Sequence, residues 1–374
     1  MRAPGVVVAL LSFLLAVPAV SIFPAQTLKS WDFEQGMEGW QTPDNQANLT
    51  LALGTGAADG TGALVLSYDR ADTAVEMQQR GIPGAVVVTL PTPLTADASC
   101  LSFSVKTTVL TPLVVGFDEE DGSRYEALVL VPPGKWRKAK IFFSRLRQSE
   151  DSQDENGKLD PDQIAHVSFV DGSVFWVVLT SQMVHLPITF PKVSLGKNEL
   201  YLDSVSITDE KPPTGPWALE DASREVLHCM ALLGADATVE HEDAGLQGKP
   251  DWHIVQPMRE KDLSVLFWPT PAGYFNNTLG VHVVLQSKEG ITMILQVKEA
   301  DGSEYNAILP LQGTEVLDEQ FLWADFTLGD DSTDENGKLD PEQITQVMIG
   351  DATGFIAPAA HTLDLRLGLV DAIR

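Results

Sequence analysis

Along much of the chain, apolar and polar residues take turns. Leu101-Ser102-Phe103-Ser104-Val105, Val167-Ser168-Phe169 and Leu200–Ile207 (LYLDSVSI) all follow this rule. Successive side chains of an extended backbone point to opposite faces, so a period of two predicts half-buried β-strands. A second set of such runs lies at Val281–Leu285, Thr292–Val297 and Leu363–Val370, and Asp-Gly pairs such as Asp121-Gly122 supply hairpin turns. Long helical periods are few. Arg224–Leu233 suits a helical turn or a strand by composition. The pattern predicts an all-β protein of sandwich type.

The two sets of strands are related by an internal repeat. Asp121-Gly122-Ser123 recurs as Asp301-Gly302-Ser303, and Asp154–Pro161 (DENGKLDP) recurs as Asp334–Pro341, both at an offset of 180 residues. Tyr125 and Tyr305, Val167 and Val347, and Asp171 and Asp351 keep the same offset without a gap. Solenoid units run to about 20–50 residues, so this period means two whole domains descended from one. The Pro-rich, charged stretch Asp209–Pro216 (DEKPPTGP) reads as the linker. Within 374 residues the expected division is a leader over 1–21, a first β-sandwich over 22–210 and a second, diverged one over 211–374.

The leader is read from Arg2, an apolar stretch from Val6 to Val17, a break at Pro18 and small residues at Ala19 and Ser21. The apolar part is shorter than the roughly 20 residues that span a bilayer, which favours a cleaved signal peptide over a retained anchor. The mature chain is therefore expected to be secreted, periplasmic or at the cell surface, without membrane insertion. A net charge of −27 opposes contact with nucleic-acid phosphates or anionic lipid, and leaves neutral ligands and cations as partners. Cys100 and Cys229 are too few for a disulfide scaffold and stand among apolar residues, so both read as small buried side chains, a bridge between them being the other reading. Asn48-Leu49-Thr50 and Asn276-Asn277-Thr278 are glycosylation sequons in a eukaryotic context.

The duplicated acidic loops, 151–163 and 331–343, invite comparison with a calcium loop. Taking Gly157 as the sixth position of an EF-hand puts Ser152 at the first and Gln163 at the twelfth, where a bidentate Glu is required. A structural reading accounts for the same residues: a tight turn at Asn156-Gly157, then a short helical turn capped by Asp160 with Pro161 at its first position and Gln163 three after the cap. A weak cation site is the remaining reading. The sequence has no G-x-S-x-G, H-E-x-x-H, P-loop or dinucleotide fingerprint, and His241-Glu242-Asp243 reads as a solvated loop rather than a metal cluster.

The opening Trp31-Asp32-Phe33-Glu34-Gln35-Gly36-Met37-Glu38-Gly39-Trp40 resembles the start of carbohydrate-binding-module β-sandwiches of the galactose-binding-like jelly-roll superfold. Gly134-Lys135-Trp136 before Ile141-Phe142-Phe143, and the closing Leu200-Tyr201-Leu202-Asp203-Ser204-Val205, follow the order of such modules. The resemblance covers the first copy and most of the second, and implies two tandem jelly rolls. It implies a structural Ca2+ held by Glu34 of the opening motif and Asp203 of the closing strand. In the second copy Trp217-Ala218-Leu219-Glu220 is expected to match Trp31 to Glu34, and Arg366 to match Asp203, an ion pair replacing the metal.

The resemblance also implies aromatic rings stacked on sugar faces. Trp176, Trp268, Tyr125, Tyr305 and Tyr274 are the ligand-binding candidates, with Phe275 beside the last, while Trp40 and Trp136 are assigned to the core. An insertion in the first copy, from about Trp176 to Lys192, adds weight to Trp176. The expected protein is exported, non-catalytic and binds a polysaccharide or cell-surface glycan, two linked weak sites raising its avidity. It has room for a separate catalytic or surface protein partner. The alternatives are an adhesive surface protein that binds other proteins and a polysaccharide hydrolase.

Overall fold

The computed structural model describes residues 24–43, 49–70, 84–149, 152–173, 175–177, 189, 192–213, 217–330, 332–334 and 336–374. The expected leader, Asn48 of the first sequon and most of the insertion after Trp176 lie outside the described residues. The first half carries β1 (Thr27–Trp31), β2 (Trp40–Gln41), β3 (Leu49–Thr55), β4 (Gly62–Arg70), β5 (Ala85–Thr89), β6 (Cys100–Thr107), β7 (Thr111–Glu119), β8 (Arg124–Val131), β9 (Arg137–Phe142), β10 (Arg147–Gln148), β11 (Ile164–Asp171) and β12 (Gly196–Thr208). The second carries β13 (Glu220–Asp221), β14 (Met230–Leu232), β15 (Thr238–Leu246), β16 (Lys249–Met258), β17 (Val265–Pro269), β18 (Gly280–Ser287), β19 (Ile291–Glu299), β20 (Glu304–Leu311), β21 (Val316–Leu322), β22 (Thr327–Leu328), β23 (Ile344–Asp351) and β24 (His361–Ile373).

These strands form four antiparallel sheets. In the first half, β3-β4-β12-β6-β9, with β1 on β12, faces β10-β8-β7-β11-β5-β2. In the second, β15-β16-β24-β18-β21, with β13 on β24, faces β14-β17-β23-β19-β20-β22. The fold is thus all-β, with two tandem β-sandwiches. Trp31, Phe33, Trp40, Phe103 and Phe169 lie in the first core. Trp252, Trp268 and Phe275 lie in the second. Arg224–Leu233 is not helical: a bend leads into β14. Cys100 and Cys229 are both free and buried.

The two sandwiches pack against each other. Val114 of β7, Leu128 of β8 and Trp176 form one apolar cluster with Met230, Leu232 and Val265 of the second half. Isolated bridges join Leu130 to Leu227 and Thr189 to Asp262. This explains why β7 is buried on both faces over most of its length: one side meets its own core and the other meets the second sandwich. Among the described residues, no helix is long and apolar enough to cross a membrane.

The repeat is preserved in fine geometry. Asp160 N–H donates to Glu119 Oε1 and Asp340 N–H to Glu299 Oε1, both at 2.5 Å. The Tyr125 and Tyr305 hydroxyls donate to Asp154 and Asp334. Gly157 and Gly337 take φ of 64° and 67°, as the tight turn requires. Pro161–Gln163 forms the expected helical turn, but the Asp160 side chain does not cap it. Asp160 Oδ2 instead accepts from Asn156 Nδ2 at 2.8 Å and Gln163 Nε2 at 3.1 Å, which closes the loop on itself.

Candidate functional site

The five aromatic candidates are buried: Tyr125 is 2% exposed, Tyr305 4%, Trp176 4%, Trp268 1% and Tyr274 8%. A ring without an open face cannot stack on a sugar, so the platform expected at these residues is not available. The reasons differ. Trp176 is covered by the second sandwich and meets Phe267 edge-on at 5.3 Å. Tyr125 and Tyr305 use their hydroxyls to hold the acidic loops, and Tyr274 donates to the Trp217 carbonyl at 2.6 Å. Trp268 and Phe275 are core residues.

Two partly open rings of the first sandwich lie elsewhere, on the outer face of its β3-β4-β12-β6-β9 sheet. Register sets Ala52, Val65, Tyr201 and Lys106 in one cross-strand row, and Trp136 immediately precedes Arg137, which pairs with Val105. Trp136 and Tyr201 are both half-buried, with ring centroids 6.2 Å apart. Lys106 Nζ lies 4.0 Å from the Tyr201 ring centre and 5.0 Å from that of Trp136. The Tyr201 hydroxyl donates to Glu199 Oε2 at 2.5 Å, and this bond, ahead of burial, pushes its pKa up to about 12. Trp136 therefore belongs to the surface and not the core, a correction, while Trp40 is buried as expected. The signal for Tyr201 was present in the alternation: its neighbours Leu200 and Leu202 face inward, so it faces outward.

Next to this face lies the expected metal pair. Asp203 is buried, and its Oδ2 accepts the N–H groups of Ala58 and Asp59 at 2.8 and 2.9 Å, while Oδ1 accepts that of Ser204 at 2.6 Å. Glu34 is exposed and accepts from Gly62 N–H at 2.8 Å and from the Thr61 N–H and hydroxyl at 2.7 and 2.6 Å. These bonds, that of Gly62 first, hold its pKa below the usual value. Both carboxylates thus hold the β3–β4 loop, whose Gly56 carbonyl accepts the indole N–H of Trp136 at 3.0 Å. Gly60 takes φ 70°, which favours glycine, and a Cβ there would lie 2.4 Å from Glu34 Oε1 and push the carboxylate aside. Phe33 at φ 59° and Ser204 at φ 50° show left-handed backbone beside each carboxylate. An all-oxygen donor set suits a hard cation in kind, and each carboxylate retains lone pairs. Among the described residues, no group of three or more His, Cys, Asp or Glu is placed to hold a metal.

Strand pairing corrects the alignment expected for the second copy. Leu202 pairs with Val105 and Leu367 with Leu285, two partners 180 residues apart, so Asp203 corresponds to Gly368 and Tyr201 to Arg366. Trp31 pairs with Val205 and Glu220 with Val370, so Glu220 takes the place of Trp31 and not of Glu34. Arg366 does not face Glu220. It binds Asp251 at 2.8 Å and Glu242 at 2.9 Å, and Glu242 stands within β15 rather than in a solvated loop. Glu220 is buried against the Trp268 indole, and burial raises its pKa to about 7.

No family model matches the chain, and no curated protein matches it. Among solved structures, it is similar to the family 11 carbohydrate-binding module of the cellulosomal cellulase Lic26A-Cel5E of Clostridium thermocellum. That match has 13% identity and a TM-score of 0.34 over 52% of this chain and 100% of that one. It is also similar to the CBM22-1-CBM22-2 tandem domain of Paenibacillus barcinonensis Xyn10C, with 13% identity and a TM-score of 0.29 over 95% of this chain and 99% of that one. A likeness this weak does not assign a ligand.

Proposed function

We propose that this is an exported, non-catalytic carbohydrate-binding protein, and that its sugar-contacting surface is the outer face of the first sandwich at Trp136 and Tyr201. One observation carries the reading: two partly open rings flanking β6, with its Lys106 between them and the Glu199 carboxylate alongside, on the outer face of the sheet. Such a face offers apolar surface to a pyranose ring and hydrogen-bonding groups to its hydroxyls. A net charge of −27 fits a neutral polysaccharide or glycan better than a polyanion in general.

Calcium has a structural role in this reading. Held by Glu34 and Asp203, it would reinforce the loop whose Gly56 carbonyl orients Trp136. The decisive experiment is calorimetry of the full chain against a panel of polysaccharides and oligosaccharides. Trp136→Ala and Tyr201→Ala should each weaken binding about tenfold or more, as truncated aromatic anchors do. Val316→Ala, at the position of Trp136 in the second sandwich, should leave it unchanged. A wild-type chain that binds no saccharide and captures proteins instead would replace this reading with adhesion, and turnover of any polysaccharide would remove the non-catalytic part.

A further inference from the structure

The boundary between the sandwiches holds a cleft of about 410 Å³. Its charged lining is unexpected in so acidic a chain. Lys140, Phe142 and Arg145 come from the first sandwich, and Trp217, Arg224 and His228 from the second. The Arg145 guanidinium lies 4.9 Å from the Phe142 ring centre and 4.6 Å from that of Trp217. Stacking on rings covers the faces of a guanidinium and leaves its in-plane N–H fork for a ligand. Arg145 Nε is buried without a hydrogen-bond partner, and Arg145 forms no ion pair among the described residues.

Arg224 is similar. Its N–H groups reach the carbonyls of Ala218 at 3.0 Å and Leu219 at 3.3 Å, with His228 Nδ1 at 3.5 Å; among the described residues it forms no direct ion pair, and a counter-charge within its reach is the buried Glu220 carboxylate, whose pKa burial raises and Arg224 lowers. Two other cations nearby are neutralised, Lys140 by Glu210 at 2.6 Å and Arg147 by Glu126, while the exposed Lys138 also lines the cleft. Asp221 and Glu225 also border the cleft, but they accept the N–H groups of Ser223 and Lys138 rather than either arginine. The two arginines oppose each other: burial, and then the charge of Arg224, lowers the pKa of Arg145 to about 10. The same two causes lower that of His228 to about 3, which leaves its imidazole neutral.

We infer that this cleft binds an oxyanion, the carboxylate or sulfate of an acidic saccharide or the free inorganic ion, between Arg145 and Arg224. The Arg145 guanidinium, whose neighbour across the cleft is a second cation rather than a carboxylate, lacks the counter-charge that an oxyanion supplies through charge-assisted, fork-matched hydrogen bonds. The cleft stands apart from the aromatic face, and neither depends on the other.

The test uses the full chain, titrated calorimetrically at constant ionic strength with a hexuronate oligosaccharide, its neutral hexose counterpart and sodium sulfate. Binding of the uronate or of sulfate that falls about tenfold or more in Arg145→Gln and in Arg224→Gln supports the site, since that is the worth of one charge-assisted bond. Arg145→Lys keeps the charge and loses the fork, so it should bind weakly while remaining folded, whatever Arg145→Gln does to stability. Trp136→Ala should leave this binding intact, which separates failure here from failure of the aromatic face. Uronate bound much more tightly than sulfate assigns the anion to a saccharide, and equal binding assigns it to the free ion. No binding of either probe, or variants that bind like the wild type, overturns the inference.

Discussion

One row of sheet positions separates the two sandwiches. In the first it reads Ala52, Val65, Tyr201, Lys106 and Trp136, and in the second Glu240, His253, Arg366, Gln286 and Val316. The inward positions of the same strands stayed apolar in both copies, because packing constrains them. The outward positions were free to diverge, and they became an aromatic pair in one copy and an ion-pair network in the other. The end of the sandwich diverged as well. The first copy has a loop held by Glu34 and Asp203, whereas the second joins β15 to β16 by the tight turn Gln247-Gly248, opposite Gly368. Duplication kept the fold and altered what each copy presents to a ligand.

Four measurements test this contrast, each on the separate unfolding transitions of the two sandwiches. The largest effect expected is pH-dependent and confined to the second. The pKa of Glu220 is raised to about 7 in the fold. The folded state therefore binds the extra proton between the unfolded value of about 4.3 and 7, and stability rises by about 4 kcal/mol as pH falls through that window. Glu220→Gln should remove the excess slope of the second sandwich over the first. Glu119 and Glu299, both raised chiefly by burial, add slopes of the same sign to the two copies. Glu34 works in the opposite sense: its stabilisation holds above the unfolded value and disappears as pH falls through its lowered folded value.

Arg366→Gln comes next. It leaves the fully buried Asp251 without its cation, and should cost about 2–3 kcal/mol in the second sandwich, discounted because Arg366 keeps 23% of its side chain exposed. Tyr201→Gln at the equivalent position should change the stability of the first by only about 0.5 kcal/mol. Equal losses at the two sites would mean that the row is not divided into a structural half and a binding half. Asp203→Asn weakens three charge-assisted bonds and should lower the stability of the first sandwich by about 2 kcal/mol. Added calcium should raise the first transition of the wild type and not that of this variant; a chelator that moves neither transition removes the metal from the account. Gly368→Ala should have the smallest effect, within about 1 kcal/mol of zero, since its Cβ would meet the Leu246 side chain at 3.1 Å and a single methyl can give way.

The candidate site was legible only in part. Glu34 and Asp203 could be picked out through the resemblance, by their place in the opening motif and the closing strand, and both bind one loop. Tyr201 could be read as outward from its two leucine neighbours, but Trp136 stands just ahead of a strand, where alternation does not assign a face. Trp176 is sequestered by a domain that joins the chain far along the sequence, so nothing local announces its burial. Arg145 and Arg224 are 79 residues apart, on different sandwiches, and share a cleft only after the two have docked.

What the amino-acid order determined by itself is everything that depends on near neighbours: strands from period two, turns from Asp-Gly and Asn-Gly, and a duplication visible as repeated text. What only the tertiary structure decided is which surfaces remain open and which residues correspond. Exposure depends on what covers a face, and correspondence on which strands pair and in what register. A bulge beside Asp203 and another opposite Gly368 bend the pairing, and shifts of three positions at Glu220 and two at Arg366 turned the ion pair expected in the second copy into a buried carboxylate and a separate ion-pair network. Hydrophobic alternation is local and survives in the sequence. Cross-strand register and domain contact are long-range, and they are settled only when the whole chain has packed.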